Sequence, residues 1–158
     1  MKTIASFTID HERLLPGLYV SRKDKIGSET VTTFDIRMTR PNREPVMNTA
    51  EMHTIEHLGA TYLRNHPEYG SQIVYFGPMG CRTGFYLLIG ADVCSEDIWD
   101  LVKGMFVFIS AYEGEIPGAR PEQCGNYLDQ NLPMAKYLAD RYLKEMGENP
   151  DTERFIYP

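Results

Sequence analysis

No two of the three cysteines, Cys81, Cys94 and Cys124, stand in C-x-x-C spacing, and an odd, scattered count makes a poor disulfide framework. That pattern fits a reducing compartment, where thiols are free to act as ligands or catalysts; for Cys94, between Val93 and Ser95, the expectation is a small buried hydrophobe. No apolar run approaches the ~20 residues that span a bilayer, and the N-terminus lacks the basic-then-apolar profile of a secretory signal. A cytoplasmic protein with no membrane partner is expected. Basic charge is also in short supply: 16 Lys and Arg stand against 22 Asp and Glu, a net charge of −6. Nucleic acid and anionic membranes, which need a clustered basic surface, are therefore not expected partners. There is no internal repeat, low-complexity tract or linker.

What is present suits one domain over residues 1–158, because a chain of 158 residues can bury about two-thirds of its unfolded surface around a single core. Apolar residues at 42% and charged residues at 24% argue against extensive disorder. After the Pro16-Gly17 turn signal, residues 18–26 and 31–38 read as two strands joined at Gly27-Ser28-Glu29, a spacing that suits an antiparallel hairpin. On the second strand, alternation sends Thr32, Phe34, Ile36 and Met38 to one face and Thr33, Asp35 and Arg37 to the other. By itself, such a charged pair reads as facing water. Residues 71–76 and 85–89 are also strand-like.

Helices are expected in three places. Asn48 or Thr49 can cap the first, which runs to about Asn65 because Pro67 follows. Ser95 can cap a second, with Ile98, Leu101, Val102, Met105, Phe106 and Ile109 at helical spacing. The third has Pro133 in its first turn, an apolar stripe of Ala135, Leu138, Tyr142 and Met146, and Gly147 just past its end. Strands on both sides of one helix, without regular strand-helix alternation, predict an α+β fold: an antiparallel sheet with helices packed on one face.

The most informative stretch is His53-Thr54-Ile55-Glu56-His57, an H-x-x-E-H pattern. At 100° per residue, His53, Glu56, His57, Ala60 and Arg64 share one stripe while Ile55, Leu58 and Tyr62 point the other way. Imidazoles at i and i+4 can close on one metal ion, and Glu56 can move protons without ligating it. Two histidines do not fill a metal site. The candidates for a third ligand are Cys124, Cys81, Glu51, His11 and His66. A His₂Cys set with one open position would be catalytic, and thiolate with imidazole suits zinc, ferrous iron or cobalt. A cysteine near the ion that does not ligate it would have a lowered pKa and serve in acid-base chemistry. Spacing does not decide which cysteine does which. Both candidates lie in glycine-rich irregular segments, 77–84 and 113–126; the first lacks the ending of a phosphate loop, and the second is the kind of long loop that is usually functional.

Taken together, Ser6-Phe7-x-x-Asp10-His11, Phe34-Asp35-Ile36-Arg37 with Pro41-Asn42, the H-x-x-E-H helix, Arg64-Asn65-His66, the run from Pro78 to Tyr86 and Cys124-Gly125-Asn126-Tyr127 resemble the S-ribosylhomocysteine lyase, or LuxS, family of autoinducer-2 synthases. The resemblance runs in order over nearly the whole chain. It implies that His53, His57 and Cys124 bind one metal per subunit, natively Fe(II), with zinc or cobalt as substitutes, and that Cys81 and Glu56 are the acid-base residues. It further implies a homodimer with active sites at the interface, where Ser6 and His11 reach substrate bound mainly to the other subunit and Arg37 holds its homocysteine end. The expected reaction cleaves S-ribosylhomocysteine to homocysteine and 4,5-dihydroxy-2,3-pentanedione. One departure stands out: Tyr75-Phe76-Gly77 occupies positions where family members tend to carry an aspartate and a serine. The same H-x-x-E-H pattern also occurs in metallopeptidases, whose third ligand is a downstream glutamate, and it could serve a non-enzymatic metal-binding module.

Overall fold

The computed structural model describes Ile4 and residues 7–158. Strand β1 (Gly17–Ile26) turns into β2 (Glu29–Arg37) through Gly27-Ser28, with Ile26 opposite Glu29. Gly27 at φ 64° supplies the left-handed first central residue that a two-residue hairpin turn of type II′ requires. Helix α1 (Thr49–Arg64) follows, then β3 (Ile73–Pro78), β4 (Gly84–Ile89), α2 (Trp99–Ala111) and α3 (Leu132–Met146). The strands form one antiparallel sheet in the order β1-β2-β4-β3. Helix α1 packs on β3 and α2, and α3 packs on α1 and α2, so the helices layer on one face of the sheet, as expected.

Alternation along β2 decides what that layer buries. Phe34, Ile36 and Met38 face the helices and meet Ile55, Leu58 and Leu63 of α1, Met105 and Phe106 of α2 and Tyr142 of α3 in one continuous apolar cluster. Each such side chain contributes roughly 1.5–3 kcal/mol by leaving water. Helix α1 starts at Asn48, whose backbone N–H donates to Glu51 Oε1 at 2.7 Å, and it ends at Arg64, one residue short of the expected limit. Asn131 caps α3 by accepting from the Met134 N–H.

Two local expectations change. Ser95 makes no side-chain cap; a turn of 3₁₀ helix (Glu96–Ile98) precedes α2, and the Asp97 carboxylate instead accepts from both the backbone N–H and the thiol of Cys94. Cys94 is thus a half-buried turn residue rather than a core one. The second change is larger. Asp35 and Arg37 are only 1% and 3% exposed, so the pair does not face water. The C-terminal tail lies over the outer face of the sheet: the Tyr157 ring stacks on Tyr19 at 4.8 Å, and the Tyr157 hydroxyl donates to Asp35 Oδ2.

Candidate metal centre and catalytic cysteine

Helix α1 sets half of the metal centre. One turn of helix separates His53 from His57, and their rings meet edge to face with centroids 4.5 Å apart. Ile55 and Leu58, fully buried on the opposite side, lock the helix rotation that presents them. Each imidazole is aimed by a carbonyl: His53 Nδ1 lies 2.9 Å from Asp129 O, and His57 Nδ1 lies 2.7 Å from Pro117 O. A carbonyl only accepts, so both rings carry a proton on Nδ1, which leaves Nε2 as the nitrogen that can ligate.

The loop between α2 and α3 supplies the other half. It brings Cys124 Sγ to 3.4 Å from His53 Nε2, and one ligand atom each from His53, His57 and Cys124 lies within 4.8 Å of the others. This is the only such cluster of three among the described residues. Two imidazole nitrogens and a cysteine sulfur are a donor set that fits a borderline divalent ion such as zinc, ferrous iron or cobalt. Gly118, at φ 75°, lies so close beneath His57 that an added Cβ would stand 3.1 Å from Nδ1. Of the other ligand candidates, Glu51 is buried in the cap of α1, His66 accepts from the backbone N–H groups of Glu68 and Tyr69, and His11 contacts Ile9 O in the segment before β1. Ser6 lies outside the described residues.

Glu56 is not one of the three clustered donors. It lines a cavity of about 350 Å³ together with His53, Met52, Met79, Gly80, Arg82 and Asn126. The β3-β4 turn, residues 79–83, therefore borders the same space as the metal helix, and Cys81 sits at the tip of that turn. Arg82, at φ 61°, holds the turn in a left-handed conformation; its N–H donates to Met79 O and its carbonyl accepts from Met47 N–H.

A line of polar groups leads to Cys81. The Tyr157 hydroxyl donates to Asp35 Oδ2, Arg37 Nη2 donates to the same oxygen at 2.5 Å, and Arg37 Nη1 donates to Thr83 Oγ1 at 2.5 Å. Thr83 Oγ1 lies 3.1 Å from Cys81 Sγ, and Arg37 Nη1 is 3.8 Å from the same sulfur. Because guanidinium can only donate, Thr83 accepts from Arg37 and is left with its own proton to direct at sulfur. Burial alone would push the Cys81 thiol up. The hydroxyl and backbone N–H of Thr83, with the Arg37 charge, outweigh it and hold the thiol below its ordinary value. The nearby carboxylate in turn raises Arg37, against the effect of its burial.

In the sequence, Thr83 carries no assigned role, although it lies in the Pro78 to Tyr86 run, and Tyr157 is not singled out. Thr83 could have been found by its place two residues after Cys81 in a tight turn, but Tyr157 left no local signal. At the Tyr75-Phe76-Gly77 departure, a Cβ on Gly77 would overlap the Tyr75 hydroxyl. The large residue and the missing side chain are therefore complementary.

No described helix is long and apolar enough to cross a membrane. The sequence model of the family described as S-ribosylhomocysteinase (LuxS) matches residues 4–153. The S-ribosylhomocysteine lyases of Clostridium beijerinckii and Phocaeicola vulgatus are each 60% identical over 158 residues, all of this chain and 99% and 98% of those proteins. That of Borreliella burgdorferi is 52% identical with complete coverage of both chains. On the family match and these full-length relatives, the chain belongs to the S-ribosylhomocysteinase (LuxS) family.

Proposed function

We propose that this chain is a metal-dependent S-ribosylhomocysteine lyase acting as one domain over residues 1–158. It releases homocysteine and 4,5-dihydroxy-2,3-pentanedione, the precursor of autoinducer-2. The reading is carried by one observation above the others: the chain holds two differently treated cysteines, Cys124 among imidazoles and Cys81 beside a cation and two hydrogen-bond donors. A metallopeptidase has no use for the second, and a non-enzymatic metal-binding module has none for Cys81 and Glu56 together.

His53, His57 and Cys124 would hold the ion, which we take to be Fe(II), one per subunit, with zinc or cobalt as substitutes. A bound divalent ion supplies Lewis acidity toward the sugar carbonyl, an effect worth several kcal/mol to an enolate-like transition state. The remaining steps fall to the chain's own groups. Cys81 Sγ, as thiolate, takes the proton from the carbon next to the aldehyde of the opened ribose and returns it to the former aldehyde carbon. Hydroxyl protons pass in the opposite sense through Glu56, so the carbonyl moves from carbon 1 to carbon 2. A second round brings it to carbon 3. Glu56 then accepts the proton from carbon 4 as the bond between carbon 5 and sulfur breaks, homocysteine leaves as a thiol after gaining a proton, and the resulting enol becomes the diketone. Electrons move only within the sugar, so no external redox cofactor is required.

Arg37, positioned by Asp35, would orient the substrate near Cys81 and hold its homocysteine end by charge-assisted hydrogen bonding. A homodimer with sites at its interface, to which Ser6 and His11 contribute from the other subunit, completes the proposal, along with a cytoplasmic location and a place in recycling the methyl-donor cycle.

The test is thiol release. Cobalt- or iron-loaded protein is incubated anaerobically with S-ribosylhomocysteine and a chromogenic thiol reagent, beside Cys81→Ala and Glu56→Gln. Turnover by the parent and its loss in both variants at unchanged metal content is the expected result; no thiol from a folded, metal-loaded parent would sink the proposal.

A further inference from the structure

The metal-ligating histidines are also held from outside the ligand set. Thr54, fully buried between them in sequence, turns its hydroxyl toward the loop that carries Cys124. Its Oγ1 accepts from the backbone N–H of Asn131 at 2.9 Å, lies 3.0 Å from Ala50 O, and lies 2.7 Å from the side-chain amide of Gln130. The other end of that amide lies 3.2 Å from His53 Nδ1. One residue, Gln130, therefore joins a hydroxyl on α1 to the ligand imidazole beside it.

Counting protons fixes how the amide is turned. His53 Nδ1–H already donates to Asp129 O, so it has no lone pair to receive an N–H from Gln130 Nε2. With Oε1 toward Thr54, the single hydroxyl proton would have to serve both Ala50 O and Gln130 Oε1. A half-turn of the amide, whose two ends are alike in shape, resolves both conflicts. Oε1 then shares the His53 Nδ1–H with Asp129 O, Nε2 donates to Thr54 Oγ1, and the Thr54 proton goes to Ala50 O. Every donor among the buried groups then has an acceptor, and the second amide proton of Gln130 is left on a side chain that is only half-buried.

We propose that Thr54 and Gln130 are positioning residues of the metal centre. Together they fix His53 in the tautomer whose Nε2 is free to ligate, and they pin the loop that delivers Cys124 onto helix α1. The second role matters because, between Ile109 and Ala135, no residue of the connection is buried. Among the described residues, apolar packing against the core is seen only at its two ends, through Tyr112 and Leu132, so between them hydrogen bonds to α1 carry much of its placement. Partners of this kind typically change metal affinity by 10–100-fold.

This inference rests on the reading of His53, His57 and Cys124 as the metal site, and the experiment separates the two. Cobalt(II) is titrated into metal-free parent, Thr54→Val, Thr54→Ser and Gln130→Leu, recording the thiolate-to-cobalt absorption and the chelator concentration that removes half the metal. Thr54→Val and Gln130→Leu are expected to lose about 10–100-fold in affinity and to shift the absorption bands, with Thr54→Ser returning to the parent. In zinc-loaded parent, the His53 Nδ1–H resonance is expected to be slow to exchange and to weaken in Gln130→Leu. Gln130 is only half-buried, so its variant remains informative if Thr54→Val fails to fold. Parental affinity and spectrum in Gln130→Leu would overturn the inference alone. Absence of cobalt binding by the folded parent would overturn the metal-site reading with it.

Discussion

Cys81 and Cys124 both sit in glycine-rich irregular chain and both retain access to solvent, yet their surroundings suit them to opposite tasks. Around Cys124 are ring nitrogens: His53 Nε2 lies at 3.4 Å, on an imidazole that, like His57, directs its Nδ1 at a carbonyl. Around Cys81 are a guanidinium and a hydroxyl whose proton is directed at sulfur. The first arrangement collects lone pairs and suits a cation; the second collects protons and positive charge and suits a thiolate. Residue type does not separate a ligand from a base. The sign of what faces the sulfur does.

The sharpest break of that comparison is to remove each sulfur in turn. Cys124→Ala is expected to lose stoichiometric metal and all measurable turnover, read by metal analysis and thiol release. Cys81→Ala should keep its full metal content while turnover falls about 10²–10⁴-fold, the usual worth of a positioned acid-base group. Equal metal loss in both variants would erase the distinction.

Arg37→Met attacks the Cys81 side only. Removing the guanidinium strands a buried Asp35 carboxylate, with a cost of about 3–5 kcal/mol in denaturant unfolding. It should also shift the thiol. Since the folded protein holds Cys81 below the ordinary cysteine value, its thiolate persists as pH falls, and the acidic limb of both turnover and Cys81 alkylation lies lower than for an unperturbed thiol. Without Arg37 that limb moves to higher pH, by peptide-resolved alkylation, while metal content is unchanged.

A smaller effect probes the other side. Gly118→Ala places a Cβ in the left-handed region and within 3.1 Å of His57 Nδ1, so we expect about 1–3 kcal/mol of strain to appear as weaker cobalt binding with the Cys81 alkylation profile unmoved. The smallest is Leu128→Ala in the same loop. Its side chain is 78% exposed, and a change within about 0.5 kcal/mol is expected; a large loss of metal affinity or stability would show that the loop is held by an apolar contact rather than by its polar links to α1.

How far the sequence could be read follows from how local each feature is. The hairpin at Gly27-Ser28, the α1 stripe and the apolar spacing of α3 depend on neighbours within a few residues, and each was legible. The start of α2 was not, because Ser95 has the chemistry of a cap but its buried hydroxyl makes no hydrogen bond, and the turn is closed instead by the Asp97 carboxylate on the Cys94 N–H. Asp35 and Arg37 misled for a longer-range reason: alternation reports which side of a strand they occupy and is silent on what covers that side.

By itself, the sequence determined the regular elements and the His53-Glu56-His57 face, since helical period and β alternation are properties of the local backbone. The resemblance of its motifs supplied the pairing of those histidines with Cys124 and of Glu56 with Cys81. Only the tertiary structure decided what makes the two cysteines different. Arg37 reaches Cys81 across 44 residues, Cys124 reaches His53 across 71, and Tyr157 reaches Asp35 across 122. Contacts closed over such separations leave no local period in the chain, because they exist only after burial of the core has fixed the sheet and the helices relative to one another.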